Sequence, residues 1–210
     1  MKIVVENISV VRGEDLIFSN LSFAVSAGEA LVIRGSNGVG KSTLLRALAG
    51  LLPFEVGSAE IEGLGEEFGE ARLAELCHYL GPENAMKPSM TVEENLVFWQ
   101  QFSGQPHLDI DEAIEMVGLG GLGTVPFAHL STGQSRRIAI ARLLVSYRPI
   151  WLLDEPTSGL DVASETQFAA LMEAHLEDQG IIIAATHIPL GLKRMEELVF
   201  KESAVLGAGE

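Results

Sequence analysis

Gly35-Ser36-Asn37-Gly38-Val39-Gly40-Lys41-Ser42 fits the spacing G-x-x-x-x-G-K-[ST], and its flanks decide the fold. Before it runs a continuous apolar stretch, Ala30-Leu31-Val32-Ile33-Arg34, that stops at Gly35. After it Leu44, Leu45, Leu48 and Leu51 follow a helical spacing, with Gly50 close to the expected end. A strand that passes through glycines into a helix is a phosphate loop. The glycines let backbone N–H groups close around phosphate oxygens, and the helix start adds its dipole. The pattern therefore assigns Gly35, Ser36, Asn37, Gly38, Val39, Gly40, Lys41 and Ser42, with Thr43 next to them, to the phosphates of a nucleotide. Lys41 is expected to reach the β- and γ-phosphates and assist catalysis, and the Ser42 hydroxyl to ligate Mg²⁺. Gly118, Gly120 and Gly123 also satisfy G-x-G-x-x-G, but they follow a helical pattern and lead to Pro126. Without a strand before and a helix after, that stretch reads as a loop with no cofactor role.

Outward from the loop the chain reads as α/β. Leu21, Phe23 and Val25 alternate with small or polar neighbours, which predicts short antiparallel strands over about 1–30. Ala59 and Ile61 add an edge strand within about 55–65. Over about 85–145 the pattern turns helical. Thr91-Val92-Glu93-Glu94 has capping-box spacing, and a second helix starts at Asp109 with Ile110, Ala113, Ile114 and Val117 on one side. Two apolar strands follow, Ile150-Trp151-Leu152-Leu153 and Ile181-Ile182-Ile183-Ala184-Ala185, the mark of a parallel sheet covered on both faces.

Composition bounds the function. The 210 residues suit one domain, 1–210, and the formal net charge of -15 argues against nucleic acid, which requires a basic face. One cysteine, Cys77, excludes an internal disulfide, and no run of 18 or more apolar residues offers a membrane span. The expected place is the cytoplasm, with any membrane spanning left to another chain.

Ile150-Trp151-Leu152-Leu153-Asp154-Glu155 is an apolar strand ending in two acids. At the tip of a parallel strand these acids share the sheet's carboxyl edge with the phosphate loop. A solvated Asp-Glu turn is common by itself. Beside a phosphate loop, Asp154 is expected to hold Mg²⁺ through water, and Glu155 to orient and deprotonate the attacking water.

Here the sequence resembles the ABC ATPases, P-loop NTPases with an antiparallel β subdomain and an inserted helical subdomain. Leu130-Ser131-Thr132-Gly133-Gln134 is similar to their signature motif, and Ser158-Gly159-Leu160-Asp161 to their D-loop. His187, after the strand Ile181 to Thr186, matches the switch histidine. The resemblance implies an ATP hydrolase that works as a homodimer, each ATP lying between the phosphate loop of one copy and the signature helix of the other. Three positions depart from the family pattern. Glu83 stands where a glutamine is usual, and a carboxylate there could still ligate Mg²⁺. Arg12 stands for the aromatic residue that stacks on adenine, a role a guanidinium can also fill. Thr132 replaces a glycine of the signature.

Within that family the chain is similar to the ATP-binding subunits of the cytochrome c maturation (heme exporter) systems, the CcmA type. The segments that carry this are Arg12-Gly13-Glu14, Tyr79-Leu80-Gly81, Lys87-Pro88, Thr91 to Leu96, Leu130 to Leu143, Pro149 to Glu155 and Ala184 to Leu190, with the short C-terminus after His187. The resemblance implies a membrane permease partner (CcmB type), possible further maturation subunits, and a peripheral place on the inner face of the cell membrane. Nothing in the residues themselves indicates heme: Cys77, His78, His107, His129 and His175 form no ligand spacing. Another lipid or small-substrate transporter ATPase, and a soluble iron–sulfur assembly ATPase, stay open as alternatives. The family's docking groove falls at about Glu83 to Gln101, where helical spacing sends Trp99 to the core and leaves Phe98 undecided.

Overall fold

Leu21, Phe23 and Val25 alternate because they belong to an antiparallel ribbon. β1 (Lys2–Arg12) pairs with β2 (Asp15–Ser26), Val5 opposite Phe23 and Ile3 opposite Val25. The chain then leaves for a second sheet through β3 (Ala30–Arg34), passes the phosphate loop and enters α1 (Lys41–Leu48). It returns as β4 (Val56–Glu62), which pairs with the free side of β1 to give the order β2-β1-β4. This computed structural model describes residues 1–200, so residues 201–210 of the expected 1–210 domain lie outside the described residues.

The second sheet is parallel. β5 (Cys77–Leu80), β6 (Ile150–Asp154), β7 (Ile181–Ala185) and β8 (Glu196–Val199) join β3 in the order β5-β6-β7-β3-β8. Its strands face two ways, and both faces are covered. Ala30, Val32, Trp151, Leu153, Ile182 and Ala184 pack with α2 (Val92–Ser103), α3 (Ile110–Met116), α4 (Thr132–Val145) and α5 (Val162–Glu177). Leu31, Ile33, Ile150, Leu152, Ile181 and Ile183 pack on Leu44, Leu45 and Leu48 of α1 and on Ile3, Val5 and Ile8 of the antiparallel sheet. Each large aliphatic side chain buried this way contributes about 1.5–3 kcal/mol. The capping box at Thr91 forms as its spacing predicts: Glu94 N–H donates to Thr91 Oγ1 (3.1 Å), and Thr91 N–H to Glu94 Oε2 (2.8 Å).

Two sequence expectations change, one open reading is settled and one strand is new. Leu51 is not on the helix: α1 ends at Leu48, and Leu51 is exposed beyond Gly50. Trp99 is not in the core either. Its indole N–H donates to Ala85 O (2.9 Å) and its ring lies 4.5 Å from the Arg142 guanidinium, so it walls a cleft. Phe98, left undecided, is exposed and stacks on Phe102. β8 was not foreseen, because Glu196-Glu197-Leu198-Val199 lacks the apolar run of its neighbours; it is an edge strand with mostly exposed side chains.

Candidate functional site

The phosphate loop is shaped by contacts that exclude side chains. Gly40 has φ +110°, and a Cβ there would stand 2.8 Å from Ile17 Cγ2; at Gly35 a Cβ would meet the Phe200 carbonyl at 2.7 Å. Ile17 and Phe18 of β2 thus abut the loop. Arg12, paired across the hairpin from Asp15, sits exposed at the end of the same ribbon, its guanidinium without a hydrogen bond or ion pair among the described residues. Lys41 is buried, and its Nζ donates to Gly35 O and Ser36 O, both at 2.8 Å. An ammonium held only by neutral carbonyls keeps its charge for an anion. The first turn of α1 carries no acidic side chain of its own, and the positive end of that helix faces the loop.

Behind the loop, β6 delivers Asp154 to the first turn of α1. Its buried carboxylate accepts from Ser42 Oγ (3.0 Å) and from Tyr79 OH (3.3 Å), while Arg46 Nε donates to the Tyr79 oxygen (3.4 Å). Burial holds the Tyr79 phenol above its usual pKa, so it stays a donor to the carboxylate. The hydroxyl and carboxylate oxygens of Ser42 and Asp154 are hard donors of the kind Mg²⁺ takes. Tyr79 and Arg46 are site residues that the sequence reading missed.

The next residue, Glu155, has φ +45°, a left-handed backbone that a non-glycine residue adopts at some cost, and its N–H donates to Ala185 O (2.9 Å). That turn aims its carboxylate at the strand end of β7. Thr186 Oγ1 donates to Glu155 Oε2 (2.9 Å), and His187 Nδ1 lies 3.1 Å from Glu155 Oε1. Thr186 is completely buried and also accepts from Ile188 N–H (3.1 Å), whereas the His187 ring is exposed. Thr186 too was missed: its hydroxyl gains meaning only from the neighbouring strand.

Ser131 caps α4 as expected of a residue that opens a helix. Its Oγ accepts from Gln134 N–H (3.2 Å), and its own N–H donates to Gln134 Oε1 (2.9 Å). Ser131 and Thr132 are exposed, and Leu130 lies half-buried before them. Gly133 packs so closely on Gly159 that a Cβ would stand 3.2 Å from the Gly159 carbonyl, so the segments 130–134 and 158–161 touch within one chain. Asp161 caps α5 by accepting from Ser164 N–H (2.8 Å); that bond holds its carboxyl below the usual range. Ser158 N–H closes a turn onto Glu155 O (3.2 Å) and Leu160 N–H one onto Thr157 O (3.1 Å). Glu83 is exposed on the loop after β5, and no hydrogen bond joins it to Ser42 or Asp154 among the described residues. It lines a cleft of about 870 Å³ with Arg46, Tyr79, Trp99, Phe102 and Arg142. Gly118–Gly123 forms the loop after α3, in line with its lack of a flanking strand.

The family model described as "ABC transporter" matches residues 18–158. A cytochrome c biogenesis ATP-binding export protein CcmA from Chelativorans sp. (strain BNC1) is 58% identical over 198 residues, covering 94% of this chain and 97% of that protein. The protein of the same name from Mesorhizobium japonicum is 53% identical over 93% of this chain and 96% of its own length. Among solved structures, an ABC transporter ATP-binding protein from Pyrococcus furiosus superposes with a TM-score of 0.79 at 21% identity, covering 95% of this chain and 98% of that one. A dimeric ATP-binding cassette in a post-hydrolysis state with ADP and phosphate gives 0.78 at 23% identity, over 95% and 94% of the two chains. These likenesses show the fold.

Proposed function

The chain belongs to the ABC transporter family of ATP-binding, ATP-hydrolysing proteins, and from that premise we propose that it is the ATPase subunit of a cytochrome c biogenesis export complex, with residues 1–210 acting as one unit. The observation that carries this reading is the convergence of Lys41, Ser42, Asp154, Glu155 and His187 at one sheet edge, in a chain 58% identical to a CcmA export protein along 97% of that relative.

In the proposed reaction the phosphates of ATP lie over Gly35 to Thr43, and Lys41 exchanges its carbonyl partners for the β- and γ-phosphate oxygens. Ser42 and Asp154 would hold Mg²⁺, with Glu83 as a further oxygen donor, and the ion when bound neutralises phosphate charge. Glu155 accepts a proton from the attacking water as the water oxygen bonds to the γ-phosphorus and ADP departs. Thr186 and His187 hold the two carboxylate oxygens of Glu155 in place for that transfer. A positioned base of this kind is worth about 100- to 10,000-fold in rate. Arg12 stacks on the adenine from the hairpin end beside the loop.

The second half of each site comes from a second copy. Leu130 to Gln134 present the Ser131 hydroxyl and the N-terminal N–H groups of α4 to the γ-phosphate of the facing chain, and Ser158 to Asp161 line the seam between copies. Loss of the γ-phosphate removes that bridge and favours opening. No helix long and apolar enough to cross a membrane occurs among the described residues. The cleft walled by Trp99 and Phe102 is where a membrane permease of CcmB type docks, which places the chain on the inner face of the membrane. Affinity purification from detergent-solubilised membranes tests this: co-purification of one integral membrane subunit is expected. Recovery with a soluble scaffold alone contradicts it.

A further inference from the structure

Arg136 lies on α4 inside the protein, 3% exposed, and among the described residues no carboxylate pairs with it. Its guanidinium spends all its nitrogens on five oxygens of two other segments. Nε donates to Pro156 O (3.0 Å), and Nη2 to Glu155 O (2.9 Å) and Asp154 O (3.3 Å). Nη1 donates to Gly81 O (2.7 Å) and Asn84 Oδ1 (3.4 Å). Burying an unpaired guanidinium carries a heavy desolvation cost, and well-packed apolar residues stabilise such a position as well or better. Charge-assisted bonds to these oxygens offset that cost, and the planar fork that makes them belongs to arginine alone.

The segments it joins are those that the reaction uses. One is the turn of three consecutive carbonyls at residues 154–156, where Glu155 holds its φ of +45°. The other is the loop from Gly81 to Asn84 that carries Glu83. Both are fastened to the helix that Ser131 caps. We propose that Arg136 is a positioning residue: it fixes the left-handed turn at Glu155 and the Glu83 loop to the signature helix, so that the general base and the γ-phosphate-binding helix move as one piece. The proposal rests on Glu155 being the base.

The test is a double-mutant cycle on the purified full chain, reading kcat and KM for MgATP in Arg136→Gln, Glu155→Gln and the double variant. A misplacement of about 1 Å at the reacting group costs up to about 100-fold. Arg136→Gln is therefore expected to lower kcat by about 10- to 100-fold, with KM within about threefold. In the Glu155→Gln background it should add no further loss, since the base it positions is already gone. Arg136→Lys, which keeps the charge and loses the fork, should also fall by about tenfold, and it serves if the glutamine variant does not fold. Either variant with kcat at the parent level, or a loss that multiplies with that of Glu155→Gln, overturns the proposal. Glu155→Gln alone at the parent rate overturns instead the assignment of the base.

Discussion

Replacing Thr186 with valine exchanges one hydroxyl for a methyl of nearly the same shape, which makes it a sharp probe of how the carboxylate proposed as the base is held. Thr186 Oγ1 donates to Glu155 Oε2 at 2.9 Å from a position with no solvent exposure. A hydrogen bond to a charged group contributes about 1.5–3 kcal/mol. If that bond orients the base during attack, the loss appears in kcat as about 10- to 150-fold, at 1.36 kcal/mol per factor of ten. KM for MgATP should hardly change, because among the described residues no hydrogen bond joins Thr186 to the phosphate loop. The same hydroxyl accepts from Ile188 N–H at 3.1 Å, so the fold also loses about 1 kcal/mol, a fall of about 2–4 °C in Tm for a chain of this size. Thr186→Ser keeps the hydroxyl and should recover most of the rate. The assay is steady-state phosphate release across a MgATP titration, beside a thermal melt of each variant. A valine variant within twofold of the parent kcat refutes the reasoning, since the carboxylate would then be held without Thr186.

Two further outcomes follow from the same geometry. Glu83→Gln should raise the Mg²⁺ concentration for half-maximal ATPase activity by about two- to tenfold, the effect of exchanging an exposed charged carboxylate ligand for a neutral amide oxygen; superimposable Mg²⁺ titrations contradict it. Burial pushes His78 down to about 3 and His175 to about 4, from 6.5, so both are neutral in the fold and take up protons on unfolding at mildly acid pH. Their contribution is complete above about pH 6.5 and is lost as pH falls, by about 1.4 kcal/mol per pH unit for each ring. Urea unfolding between pH 7.5 and 5 should therefore show a shallower pH slope in His78→Gln by about one ring's share; parallel slopes contradict it.

How much of this was legible in the sequence depends on whether a residue's role is local. The phosphate loop was readable because its glycines answer to backbone geometry along a single stretch, and Gly40 has no room for a side chain. The capping box at Thr91 was readable for the same reason: both partners lie three residues apart. Tyr79, Thr186 and Arg136 were not, because each acts on a residue brought near only by the parallel sheet and the helix packed against it. Tyr79 reaches Asp154 across the β5–β6 pair, and Thr186 reaches Glu155 across β6–β7. Trp99 shows the limit of periodicity: a helical face that turns from the core is apolar whether it meets more core or the wall of a cleft. The deciding feature, the Arg142 guanidinium over its ring, comes from another helix. β8 escaped because pairing with β3, together with the Arg34–Glu197 ion pair at 3.2 Å, holds an acidic edge strand whose own pattern is weak.

The central claim is that Glu155 is the base of an ATPase whose site closes between two copies. Glu155→Gln tests it directly, comparing steady-state hydrolysis with the parent while following size with and without MgATP. The account predicts a rate lower by about 100- to 10,000-fold and a dimer that accumulates only with MgATP. A glutamine variant that hydrolyses ATP at the parent rate, or that binds ATP and stays monomeric, contradicts it.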